Sequence, residues 1–66
     1  MPLTEHTHVQ LTETVTEAGD TVSAGAEGAI VSVYNGGEAY AVEFVAGRKV
    51  PVVITVYAAQ LRALRG

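Results

Sequence analysis

The sequence predicts an all-β fold of five short strands, with a long first loop and a 3₁₀ turn before the last strand. Three observations carry this. Apolar residues recur at period two over residues 7–12, 29–34 and 39–45, and a denser apolar run covers 52–57. Period two is the spacing of one face of a strand. Glycine-rich breaks separate the runs, and valine, whose branched Cβ suits a pleated surface, is the commonest large apolar residue.

The elements follow in order. In residues 7–12, Val9 and Leu11 share one face and His8, Gln10 and Thr12 the other, the pattern of a half-buried strand. Residues 14–26 are polar and broken by Gly19-Asp20 and Gly25, so they read as a long loop anchored by Val15 and Val22. Strict alternation then places Ala29, Val31 and Val33 on one face and Ile30, Ser32 and Tyr34 on the other. Asn35-Gly36-Gly37 supplies residues that accept positive φ, as a hairpin turn requires. Tyr40, Val42 and Phe44 follow on one face, opposite Ala41 and Glu43.

Gly47-Arg48-Lys49 reads as the next turn. Pro51, with no N–H to donate, opens the following strand, a position that tolerates it. Val52, Ile54 and Val56 point to the core, which leaves Val53, Thr55 and Tyr57 outward. Ala58-Ala59-Gln60 suits one 3₁₀ turn, followed by a short closing strand over 61–64. The stretch AAQLRALR also has good helix formers, but it is too short for a self-sufficient helix. Five strands in this order, with a long first loop and a turn before the last, form the pattern of a small SH3-like barrel, and 1–66 is expected to be a single domain with residues 1–6 loose.

A chain of 66 residues buries a small fraction of its unfolded surface and usually needs help to be stable. With no cysteine, neither a disulfide nor a thiolate metal site can supply it. Efficient packing or self-association remains. The net charge is −3, with all seven acids within the first 43 residues and all four bases, Arg48, Lys49, Arg62 and Arg65, after them. So few cations make nucleic acid a poor partner. No apolar run approaches the ~20 residues that span a bilayer. The opening MPLTEHTH has neither the basic nor the apolar region of a secretory leader. A cytoplasmic protein with no membrane association is therefore expected.

No catalytic constellation is recognisable. His6 and His8, two apart, could share a strand face, but a zinc site needs three or four ligands and only Gln10 is near. Two surface histidines are the expectation, with no metal and no cofactor. Glu38 at a turn and Glu43 on an outward face read as solubilising charges. Gly25 and Gly28 are not followed by a helix, so they cannot form a phosphate cradle of the helix-terminus kind; loop geometry explains them better. The surplus is apolar: Ile30, Tyr34, Val45, Val53 and Tyr57 are all assigned outward. A contiguous exposed apolar patch marks a contact surface. These five residues are the predicted interaction site, for a protein partner or a second copy of the chain.

The segments VQLTETV, AGAEGAIVSVYNGGEAYAVEFV and ITVYAAQLRAL resemble, in order and spacing, a bacterial family of small proteins, the domain of unknown function 4926 family. The matching positions are Val9, Leu11 and Thr12; Gly25, Gly28, Ile30, Val31, Val33, Tyr34, Gly37, Ala39, Tyr40, Val42, Glu43 and Phe44; and Thr55, Val56, Gln60, Leu61 and Arg62. The resemblance implies a small SH3-like barrel and brings no activity and no catalytic residue. Tyr57-Ala58 stands where that family often has Glu-Pro.

Two other small barrels are similar in part. The plasmid-borne, trimethoprim-insensitive dihydrofolate reductases share a G-x-I-V-x-x-Y and a YAVE with Gly28–Tyr34 and Tyr40–Glu43. They form a tetrameric pore site through a Val-Gln-Ile-Tyr strand. Here that stretch reads Val53-Ile54-Thr55-Val56, without the polar pair. KOW-type RNA- or ribosome-associated modules resemble the chain around residues 28–33, but they bring lysines and arginines that this stretch lacks. A non-catalytic interaction module is thus the expectation. A nucleic-acid-associated module and a reductase-like enzyme are the alternatives.

Overall fold

A computed structural model describes residues 6–17, 19–45, 47 and 49–64. The fold is all-β. The strands are β1 (His8–Leu11), β2 (Val15–Glu17), β3 (Asp20–Val22), β4 (Glu27–Tyr34), β5 (Ala39–Phe44), β6 (Val52–Tyr57) and β7 (Leu61–Ala63), with a 3₁₀ turn, Ala58–Gln60, between the last two. Among the described residues no helix is long and apolar enough to cross a membrane. Apart from His6, the segment 1–6 expected to be loose lies outside the described residues. So do Arg48 and Arg65, although Gly47 has the positive φ, 73°, of the expected turn.

Five strands form one antiparallel sheet in the order β6-β5-β4-β1-β7, and β2 pairs with β3 in a separate hairpin. The sheet is not closed, and β6 and β7 are its edges. The expected five strands are all present. The long first loop is a correction: residues 14–26 contain the β2–β3 hairpin. Val15 and Val22 face each other across it and are both buried. Both valines belong to the core cluster and so anchor this polar segment to it. The 3₁₀ turn and closing strand are found as expected, and no helix forms over residues 58–64.

Val9, Leu11, Val15, Val22, Ile30, Tyr40, Val42, Phe44, Ile54, Val56 and Leu61 make one core cluster drawn from all seven strands. The core is aliphatic apart from Tyr40 and Phe44. Each fully buried aliphatic side chain contributes about 1.5–3 kcal/mol, and no described polar or charged residue is buried among them.

Two local features set the geometry. The β4–β5 connection places Asn35, Gly36 and Gly37 at φ of 50°, 69° and 112°. That run of left-handed backbone is why the sequence needs Asn-Gly-Gly there. Gly28 is the second. A Cβ at Gly28 would lie 2.5 Å from the Glu43 carbonyl oxygen and 2.9 Å from both Phe44 Cδ1 and Val42 Cγ1. Only a bare Cα lets the start of β4 lie this close to β5.

Gln60 ties the corner together. Its carbonyl accepts from the Thr12 N–H at 2.9 Å. Its side-chain Oε1 accepts from the Tyr57 N–H at 2.9 Å, and its Nε2 donates to Glu13 Oε1 at 3.0 Å. One residue thus joins the end of β6, the 3₁₀ turn and the chain leaving β1.

Gly28→Ala is expected to destabilise the fold by about 1–3 kcal/mol, the cost of overpacking against backbone that cannot yield. Urea denaturation checks this, with a lowered midpoint at unchanged slope as the expected result.

Candidate interaction surface

The core face of the sheet is set by Val9, Leu11, Ile30, Tyr40, Val42, Phe44, Ile54 and Val56. The opposite face is built row by row from the strand register. Tyr34, Ala39 and Tyr57 stand side by side across β4, β5 and β6. The next row is Ser32, Ala41 and Thr55. The third is His8, Ala29, Glu43 and Val53, running across β1, β4, β5 and β6. Farther toward β7, Arg62, Gln10 and Glu27 share a row.

The first row is the most apolar of these rows. Adjacent strands are roughly 4.8 Å apart, so the two tyrosines flank Ala39 with one strand between them. Tyr34 is 44% and Tyr57 63% exposed, whereas Ala39 between them is only 8% exposed. Two aromatic rings beside a small methyl form a shallow apolar saddle. Tyrosine is enriched in such surfaces because it combines apolar area with a polar tip. Val53 and Val45, each 54% exposed, continue the apolar character toward the other end. Val45 also lines a recess of about 250 Å³ with His8, Glu27, Gly28, Ala29 and Glu43. This recess carries two carboxylates, those of Glu27 and Glu43.

Four of the five predicted surface residues, Tyr34, Val45, Val53 and Tyr57, are exposed. Ile30 is the correction: it is fully buried in the core. The cause is a register shift in β4. Ile30 pairs with Val42 but Ser32 pairs with Ala41, so Val31 is an extra residue in a bulge. Strict alternation fails at that point. Ile30 faces the core before the bulge and Val33 packs against it after, while Val31, expected inside, is 36% exposed. Ala29, also expected in the core, is half-buried in the outer row. Val50, which the periodicity did not single out, is 73% exposed beside Pro51.

His6 has φ of 69° and precedes β1, so it does not share a strand face with His8. Among the described residues no group of three or more His, Cys, Asp or Glu could hold a metal ion. Glu38 is exposed in the β4–β5 turn, while Glu43 is half-buried within β5. Gly25 has φ of 89° in a turn where its N–H donates to the Leu11 carbonyl.

The free side of β6 carries features that the pattern of apolar residues does not reveal. The Thr55 N–H donates to Glu17 Oε2 at 3.1 Å, a hydrogen bond from the sheet edge to the β2–β3 hairpin. With the Tyr57 N–H held by Gln60, two edge donors are covered by side chains instead of by a strand.

The chain matches no family model, no curated protein and no solved structure.

Ile30→Ala is expected to cost about 2–5 kcal/mol, as a buried truncation that leaves a cavity. Tyr34→Ser, on the opposite face, should shift stability by roughly 0.5 kcal/mol or less. Parallel urea denaturation of the two variants measures the contrast.

Proposed function

We propose that the chain is a non-catalytic, SH3-like module that works by protein–protein contact or self-association, with Tyr34, Val45, Val53 and Tyr57 as its contact surface. The observation that carries this is the Tyr34–Ala39–Tyr57 row: two exposed rings flanking a small residue on the sheet face opposite the core. The barrel assignment draws support from the strand order, the covering hairpin and the 3₁₀ turn before the last strand, in line with the resemblance to the domain of unknown function 4926 family.

Two observations favour contact over the other readings. Ile54 and Val56 occupy the positions that carry polar catalytic contacts in the reductase-like barrels, and here both are buried in the core. The outer-face recess is lined by Glu27 and Glu43, the wrong sign for a phosphate backbone.

Tyr34→Asp and Tyr57→Asp each place a charge on the apolar row without touching the core. Both variants are expected to weaken self-association or partner capture by about tenfold or more, the loss of one well-packed aromatic anchor. Their circular dichroism should be unchanged. Sedimentation across a concentration series, with crosslinked pull-down from cells, reads the effect. A strict monomer whose capture pattern is untouched by both substitutions would overturn the proposal.

A further inference from the structure

The β4–β5 turn holds a reactive pair that the contact surface does not use. Asn35 is the only asparagine in the chain, and Gly36 follows it. Both residues are exposed, and a Cβ at Gly36 would meet nothing within 4 Å. The Tyr34 carbonyl accepts from the Gly37 and Glu38 N–H groups, each at 3.1 Å. Those bonds close the turn but skip its middle. Among the described residues, neither the Gly36 N–H nor the Asn35 side-chain amide has a hydrogen-bond partner.

The other two side-chain amides are placed differently. Gln10 Nε2 donates to the Gly25 carbonyl at 3.0 Å. Gln60 is held at both atoms, Oε1 accepting from the Tyr57 N–H and Nε2 donating to Glu13 Oε1. Each is followed by a leucine, whose side chain crowds the next backbone nitrogen as glycine does not.

We propose that Asn35-Gly36 is a self-modification site, where the chain converts its own asparagine to aspartyl and isoaspartyl forms. The Gly36 backbone nitrogen gives up its proton and bonds to Asn35 Cγ. The Cγ–Nδ2 bond breaks, and that nitrogen takes up a proton and leaves as ammonia. The product is a five-membered cyclic imide. Water then opens the ring at one of its two carbonyls. Cleavage of the new N–Cγ bond leaves an ordinary aspartate. Cleavage of the original peptide bond leaves an isoaspartate, whose main chain runs through Cβ and Cγ. Each product gains one negative charge.

Ring closure requires the Asn35 backbone to leave its left-handed turn. Nothing bonded to the Gly36 N–H has to break, and Gly36 and Gly37 accept most backbone angles. Asn35 itself, at φ of 50°, gives up a conformation that residues with a Cβ occupy at a cost. The two products then differ. Aspartate tolerates the left-handed turn much as asparagine does, and its carboxylate joins that of exposed Glu38. Isoaspartate adds a main-chain atom inside the loop that the two bonds to the Tyr34 carbonyl close, so the tight turn is lost. Tyr34 ends β4 and belongs to the exposed tyrosine row. Any effect on contacts rests on the function proposed above; the conversion itself does not.

The test incubates the full chain at mildly alkaline pH and follows intact mass, with digestion to locate the change and separation of isoaspartyl from aspartyl peptides. An amide-to-acid mass gain is expected at Asn35 alone, with both products present and a rate that rises with pH. The folded chain is expected to convert within about tenfold of the rate of the same chain unfolded in guanidinium chloride, a small difference in barrier. Asn35→Gln should stop the conversion. Gly36→Ala should slow it about tenfold. That variant is also compared in guanidinium chloride, where strain in the turn plays no part.

A folded chain that keeps its mass while the unfolded one converts would overturn the proposal, because the turn would then protect the site. So would a mass gain undiminished in Asn35→Gln, or one located at Gln10 or Gln60. Conversion at Asn35 with self-association and partner capture unchanged supports the modification and counts against the tyrosine row as the contact.

Discussion

The bulge at Val31 is the constraint on which the arrangement of faces depends. β4 is the longest strand and pairs with β1 along its first half and with β5 along most of its length. One extra residue allows it to keep Ile30 in the core on one side of the bulge and to pack Val33 there on the other. A bulge also increases local twist, which suits a strand that must serve neighbours on both sides. The close approach at Gly28 belongs to the same solution. Where β4 begins, no side chain fits between it and β5, so the sheet draws tight at the point where Phe44 and Val42 need cover.

Around that strand the chain handles its edges by different means. At the β6 corner, the carbonyl and side-chain amide of Gln60 satisfy donors that would otherwise face solvent or a neighbour. Beside it, a carboxylate from the β2–β3 hairpin takes the Thr55 N–H. Pairing groups are thus covered by side chains, which can move aside more easily than a paired strand. The outer face is treated differently again. Alanines on β5 keep its middle low, and tyrosines on the flanking strands rise on either side.

Much of this is readable in the sequence. The alternation of Tyr40, Val42 and Phe44 marks a strand because each inward residue is large and each outward one is small or charged. Asn35-Gly36-Gly37 marks a turn because few other residues accept three positive φ angles in succession. Val15 and Val22 are legible as anchors. Their pairing as a hairpin is not, because three-residue strands offer too few positions for a period to emerge. Ile30 shows the deeper reason for failure. In GAIVSVY both parities are apolar, so a frame shift by one residue leaves the pattern looking equally good. The register shift is decided by pairing with β5 and by packing, and neither is local. Glu17 and Gln60 are illegible for a related cause: a polar residue that covers an edge looks like any other surface residue until the edge is placed beside it.

The pairing of β1 with β7 bears on how the chain comes to be folded. The β4–β5 hairpin closes over a four-residue turn, so its pairing is local in sequence. β1 has a different fate. Half of its hydrogen bonding comes from β4 and the other half from β7, whose residues lie at the opposite end of the described chain. Val9 and Leu11 therefore reach a finished environment only after residues 61–63 have been made and brought back. Contacts so distant in sequence carry a large loop-closure cost before they return any stability. The first strand thus depends on the pairing of greatest sequence separation in the sheet, the kind of contact that slows folding in small all-β topologies.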